Sequence, residues 1–395
     1  MRIILLLLFI SVFFSSCTTD ADRAEELREI RGVWITNVDS EVMFNRTKSE
    51  VAVNFLAERG FNVIFPVVWN AGYTLYPSDV MAEYFGEEYR IHPDFDEPGR
   101  DALQDLIDLA REHEIEVIPW FEYGFASSHN LGGGHILDAY PHWAAKDAEG
   151  NLLTKNGFEW MNAFHHEVQE FMLKLIAEVI KNYDIDGIQG DDRLPALPAE
   201  GGYSDYTREL YRAEFGEDPP ANHLEEPFLQ WKADRLTDFG EKLFEMVKSY
   251  DRGLIVSFSP SPYDWSKYEY LQDWPEWIRR GIVDIIHPQV YRYDIDAYRA
   301  TLIETHDHFL RAKEERELSE GRDQPIFHAP GVLIKVGDRY NGPEYVNEAL
   351  RLHRELGIDG EVFFFYEGLH ENNENLGDAI FESTYYSTAG LPYRE

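Results

Sequence analysis

The chain has 395 residues, enough for one large domain with a full core. Hydrophobic residues make up 44% and aromatics 14%, so the chain can fold as a globule. With 36 Lys and Arg against 73 Asp and Glu the formal charge is −37, and such a surface repels nucleic acid and anionic headgroups, so no nucleic-acid partner is expected.

The first residues read as a targeting segment. Arg2 supplies a positive charge, and residues 3–14 supply an apolar run too short to span a bilayer. Ser15 and Ser16 then precede Cys17, the single Cys of the chain. Small residues before a Cys resemble the bacterial lipobox. A lone Cys makes no internal disulfide, and lipidation accounts for its position. The expectation is a lipoprotein signal peptide over 1–16, a lipid anchor at Cys17 in the cell envelope, and a polar tether over 17–29.

Eight strand-like runs follow, at residues 31–36, 62–69, 116–123, 185–193, 254–259, 284–291, 325–330 and 360–367. Helical patterns separate them: 49–59, 101–113, 164–183, 225–250, 274–280, 297–315 and 344–356. Gly60, Gly281 and Gly357 stand just past three of these helices, where a left-handed residue ends the last turn. Strands alternating with helices predict a single (β/α)₈ barrel over 30–395. The segments after strands two, three and four are long (70–98, 124–163, 194–224) and all fall on the C-terminal face, where such barrels keep their sites. An open doubly wound sheet would want a glycine-rich phosphate turn after strand one, and Thr36-Asn37-Val38-Asp39 is not one.

Side chains alternate along a strand, so polar residues near strand ends suggest which phase faces the lumen. That choice puts Asn70, Trp120 with Glu122, Gln189 with Asp191, His287 with Gln289 and Tyr291, His328, and Phe365 with Glu367 inside, and Asp192 at the rim. A buried charge is costly unless paired, so acids converging from several strands point to a site. Hydrolysis of a glycosidic bond needs two carboxyl groups, one protonated to assist the leaving oxygen and one ionised to attack or activate water. Asp191, Glu122, Glu367 and Asp192 are the candidate catalytic acids. Arg193 is placed to hold Asp192, and Trp69, Trp120 and Tyr291 are candidate stacking faces for sugar rings. Adjacent His165 and His166 cannot share one helix face, and His142, His287 and His328 are scattered in sequence. The expectation is against a structural zinc and no cofactor is called for, while a bound Ca²⁺ or Mg²⁺ on the acids stays open. A nucleophile elbow and a usable Cys are both missing, which disfavours serine and cysteine hydrolases.

Several segments resemble the glycosyl hydrolase-like family 10, a family of bacterial (β/α)₈ proteins that are often lipoproteins. These are Arg31-Gly-Val-Trp-Ile-Thr36, the run from Phe65 through Trp69-Asn70-Ala71-Gly72-Tyr73-Thr74 to Ser78, Trp160-Met161-Asn162, Asp186-Gly-Ile-Gln-Gly-Asp-Asp192 and His287-Pro-Gln-Val-Tyr291. The likeness runs from about residue 31 to 369 and adds Tyr73 to the candidate substrate-binding residues. One branch includes a division-site hydrolase acting on peptidoglycan glycan strands. Here Ile118-Pro119-Trp120 replaces the His-Ala-Trp of many relatives, and Arg193 replaces a Tyr, which points to a different branch. The resemblance implies a glycan hydrolase with an oligo- or polysaccharide partner and an acid on strand four. The other reading is a non-catalytic glycan-binding lipoprotein on the same scaffold.

Overall fold

The computed structural model describes residues 27–95, 99–318, 324–373 and 375–394. The expected signal peptide, Cys17 and most of the tether lie outside the described residues. The strands are β1 (Ile30–Ile35), β2 (Val63–Pro66), β3 (Glu116–Val117 and Trp120–Phe121), β4 (Gly187–Gly190), β5 (Ile255–Phe258), β6 (Ile285–Ile286 and Gln289–Val290), β7 (Phe327–His328 and Gly331–Leu333) and β8 (Gly360–Phe364). Between and after them run α1 (Arg46–Glu58), α2 (Ala102–Arg111), α3 (His166–Asn182), α4 (Glu226–Tyr250), α5 (Trp274–Arg280), α6 (Ile295–Glu317), α7 (Pro343–Leu356) and α8 (Leu376–Ser383).

All eight strands pair in parallel. One sheet carries the order β6-β7-β8-β1-β2-β3 and another β7-β6-β5-β4-β3. Three strands belong to both, and each is interrupted by a proline: Pro119 in β3, Pro288 in β6 and Pro330 in β7. Proline has no N–H to give to a ladder, so pairing breaks there and resumes. The first half of β3 pairs β2 and the second half pairs β4. Following the pairs around therefore returns from β8 to β1, which is the barrel order the sequence predicts.

Helix starts follow local chemistry. The Asn45, Asp101 and Asp294 side chains accept from the amides of Lys48, Gln104 and Ala297. Proline stands in the first turn of α4, α5 and α7. Gly281 and Gly357 adopt left-handed φ of 67° and 68° at the ends of α5 and α7. Long loops at the C-terminal face add a small antiparallel sheet after β3 (Ala126–His129, Thr154–Lys155, Phe158–Trp160) and a helix after β4 (Asp205–Phe215).

β1 begins at Ile30, and the residues just ahead of it already pack on the barrel: Glu29 is buried and bonded to Arg31, and Arg28 bridges to Gly390.

Candidate active site

β4 ends in a tight turn that carries three consecutive charged residues. A Cβ on Gly190 would lie 2.3 Å from the Leu194 carbonyl oxygen, so only glycine lets the chain fold back at once. From the other side Gly124, at φ +47°, brings the loop after β3 so close that its Cβ would sit 2.0 Å from the Arg193 oxygen. Arg193 is thereby held over Phe158 and Tyr123, with its guanidinium carbon 4.7 and 5.4 Å from the two ring centres.

The guanidinium gathers the acids. Arg193 Nη2 contacts Glu122 Oε1 at 3.1 Å and Asp191 Oδ2 at 3.3 Å. Nη1 contacts Asp192 Oδ1 at 3.0 Å, and Nε donates to the Glu122 carbonyl at 3.0 Å. The wider reach of Arg193 is therefore a finding: it was expected at Asp192 and it also joins β3 to β4. Asp191 is 2% exposed, and its Oδ1 accepts from Gln289 Nε2 at 2.6 Å and Ser259 Oγ at 2.8 Å. Asn70 donates to Glu122 Oε2. Asp191, Glu122, Asp192, Asn70, Arg193 and Gln289 thus form one connected cluster across β2, β3, β4 and β6.

Three carboxyl groups share one guanidinium. Burial pushes Asp191 well above the usual carboxylate range; the neighbouring Asp192 pushes the same way, Arg193 opposes, and Glu122 adds to the rise. Burial also raises Glu122, with Arg193 and Asn70 acting against it. Asp191 and Glu122 both reach the same Nη2 of Arg193, so one oxygen of each lies close to that nitrogen.

Other expected residues divide by position. Gln189 faces the lumen one layer deeper, accepting from Trp34 Nε1 at 2.6 Å and donating to Ser257 at 3.3 Å. His287 is buried against Phe65 and Trp34; it bonds the Ala329 oxygen at 2.8 Å, and burial pushes it down to about 4, so it is neutral at ordinary pH. Tyr291 is half-buried and packs on Phe364; burial and the nearby acids keep its phenol protonated. Tyr291 is the expected stacking residue that retains an accessible surface beside the acids.

Trp120 faces the lumen as expected but is buried, 6.2 Å from Trp34. Trp69 is fully buried and turns outward, donating to the Gly124 oxygen and packing on Phe171 of α3. Neither Trp presents a free face to a sugar as placed. Tyr73 lies in the hairpin after β2, packed on His135 and Tyr89. His328 points away from the lumen: its ring stacks on His306 and Phe309 of α6. In β8 the lumen phase is that of Phe364, which packs on Trp34, so the expected Phe365 and Glu367 phase is corrected. Glu367 accepts from Ser40 Oγ at 2.8 Å and lines a polar cleft of about 530 Å³ with Asp39, Lys335, Asp338 and His370. It is not among the acids Arg193 gathers.

Sequence reasoning missed Ser259 and Gln272, whose amide donates to the Asp191 carbonyl. Ser257 and Ser259 share a phase in β5, and that alternation was a readable signal. It also left His142 isolated, whereas the fold sets His142 beside His165 and Glu167.

The fold is a parallel eight-stranded barrel with a cluster of acids at its C-terminal mouth, an architecture shared with glycoside hydrolases. The chain matches the family model described as Glycosyl hydrolase-like 10 over residues 29–316 and belongs to that family. It is 24% identical to glycosyl hydrolase YngK of Bacillus subtilis (strain 168), covering 93% of this chain and 74% of that protein. It is 23% identical to glycosyl hydrolase DigH of Escherichia coli (strain K12), covering 70% of each. Among solved structures, the PgaB (BpsB) glycoside hydrolase domain of Bordetella bronchiseptica aligns with a TM-score of 0.64 at 13% identity, over 89% of this chain and 98% of that one. Alpha-L-fucosidase isoenzyme 2 of Paenibacillus thiaminolyticus aligns at 0.60 with 15% identity, over 90% and 49%. At these identities the structural likeness speaks for the fold.

Proposed function

We propose that the protein is an active glycoside hydrolase of the cell envelope, with Asp191 as the general acid and Glu122 as the ionised partner. The observation that carries this is the surplus of carboxylates on Arg193. One cation cannot neutralise three acids, and retaining a proton on one of them relieves the repulsion. Asp191 is the most buried of the three, so ionising it costs most. Glu122 has the direct Arg193 and Asn70 contacts that favour its charged form. In this reading Glu122 attacks to form a covalent glycosyl intermediate as Asp191 protonates the leaving oxygen, and Asp191 then activates the water that releases it. Tyr291 supplies an apolar face beside the reacting ring. Anchoring through Cys17 is part of this reading. It rests on Arg2, the apolar run to residue 14 and the small residues before Cys17.

The test is reducing-end release from a panel of envelope polysaccharides and aryl glycosides. Asp191→Asn should lose about 10²–10⁴-fold on natural linkages and retain activity on glycosides with an acidic leaving group. Glu122→Ala should lose both and be rescued by azide with inverted product. Equal release by wild type and both variants, or no release by wild type from any glycan, would sink the assignment.

A further inference from the structure

We infer that His142, His165 and Glu167 form a divalent transition-metal site, with Zn²⁺ the best-matched ion, built from residues outside the acid cluster. One potential ligand atom from each residue lies within 4.8 Å of the others. His142 stands on the short turn Pro141–Trp143 in the loop after β3, and His165 and Glu167 open α3. These residues are brought together by two separate segments, so no sequence spacing announces them.

The three side chains are held by their surroundings. Trp143 is buried, stacks on Tyr140 at 4.3 Å and packs on Phe171 of α3, which fixes the turn that carries His142. The same Trp143 donates from Nε1 to Glu167 Oε2 at 2.8 Å. His165 caps α3, its Nδ1 accepting a long 3.3 Å bond from the Glu167 amide. A buried donor that orients a carboxylate ligand is the outer support that metal sites use.

His142 Nε2 and Glu167 Oε2 lie 2.7 Å apart. A hydrogen bridges that contact; a cation at Nε2 takes its place, with the neutral ring carrying its proton on Nδ1. A tetrahedral zinc needs donors about 2.0–2.2 Å from the metal, hence roughly 3.4 Å from one another. The exposed side chains of His142 and Glu167 can reach this by small rotations, since they are 54% and 43% exposed. Two imidazoles and one carboxylate suit Zn²⁺ better than Ca²⁺ or Mg²⁺, which want oxygen ligands. Water completes the shell on the exposed side. The positive end of α3 opposes the cation while the Glu167 charge and the acidic surface favour it, so a micromolar site is expected rather than a tight one.

The test is zinc titration of the full mature chain without a histidine tag, read by competition with a chromophoric chelator. The expected result is one saturable equivalent. His142→Ala, chosen because its side chain is exposed and the fold survives its loss, should weaken binding by about 10-fold or more, as should Glu167→Gln. Zinc in excess should raise the melting temperature of wild type, and raise that of His142→Ala clearly less at the same concentration. Anomalous diffraction at the zinc edge should place the ion between the three residues. Binding unchanged in His142→Ala, or an anomalous peak elsewhere, overturns the site. Glycan hydrolysis plays no part in these readouts, so they stand apart from the assignment of the acids.

Discussion

The two ends of the barrel hold buried charges in opposite balance. At the N-terminal end Arg31 is fully buried and bonds Glu29 at 2.6 Å, and Arg354 bonds Glu29 at 2.8 Å. Glu361 pairs with His353 at 3.0 Å and accepts from Tyr385, whose ring lies under Arg31 at 4.2 Å. Two acids there meet two guanidinium groups. Burial pushes Glu361 up, but His353, Arg354 and Tyr385 together hold it below the usual carboxylate range. At the C-terminal end three acids meet one guanidinium, and Asp191 is driven the other way. Similar groups, comparably buried, are satisfied at one end and frustrated at the other. The balanced end holds the fold together; at the unbalanced end the crowding favours a carboxyl that keeps its proton, which is what the proposed general acid requires.

The largest expected effect comes from breaking the balanced end. Arg31→Met leaves Glu29 with only the partly exposed Arg354, and it should cost about 3–5 kcal/mol of unfolding free energy in a denaturant titration. Hydrolysis per folded molecule should stay as in wild type. A variant as stable as wild type would show that the N-terminal network is not what the balance implies.

Next comes Gly124→Ala, which acts on the frustrated end through its backbone. Its left-handed φ and the 2.0 Å approach to the Arg193 oxygen force the loop or Arg193 to move. A loss of about 2–3 kcal/mol is expected, together with a fall in turnover that persists in the folded fraction. Lost stability with intact turnover would detach Arg193 from the site.

The comparison is sharpest in pH dependence, because the two acids have opposite signs. Glu361 lies below its ordinary 4.5 in the folded state, so its stabilisation is complete above that value and disappears as pH falls through the folded pKa. Glu361→Gln should therefore be the less stable protein at neutral pH and converge with wild type in acid. Asp191 is raised above 3.8, so the folded state keeps a proton the unfolded chain has lost, and stability declines as pH rises between the two values. Asp191→Asn should remove that decline and be the more stable protein at neutral pH. Parallel stability–pH curves for the two variants would contradict the opposed shifts.

Much of this was legible from residue pattern, and the failures share one cause. Eight apolar runs, their helices and the glycine stops follow from periodicity, and the phase of β4 and β6 follows from polar residues that do face the lumen. In β7 and β8 the same rule misleads, because polarity marks the lumen only where no helix offers a partner. His328 finds His306 on α6, and Glu361 finds His353 on α7, so these polar residues are buried on the outer face. Partners supplied by another segment leave no trace in a strand's own alternation. The same holds for Arg193, whose neighbour Asp192 is readable while its reach to Glu122 depends on how the loop after β3 folds. Trp69 reads as a sugar platform by type, yet Phe171 on α3 claims its face.

The smallest effect is the most specific. Ser259 Oγ donates to Asp191 Oδ1 at 2.8 Å, a bond that favours the ionised carboxylate. Ser259→Ala removes it, at a stability cost of about 0.5–1.5 kcal/mol, and pushes Asp191 further up. If Asp191 is the acid, it must be protonated to act, and the limb that moves is the one on which activity falls with rising pH; it shifts to higher pH. If Asp191 is instead the base or nucleophile, the opposite limb moves, and activity appears only at higher pH. Asp191 is coupled to Asp192 and Glu122, so each limb belongs to the cluster, but the limb that responds still identifies which proton Ser259 touches. A kcat/KM profile of this single variant therefore decides between the two roles without removing either carboxylate. A shift of the acid-side limb would reassign Asp191 while leaving the contrast between the two ends of the barrel in place.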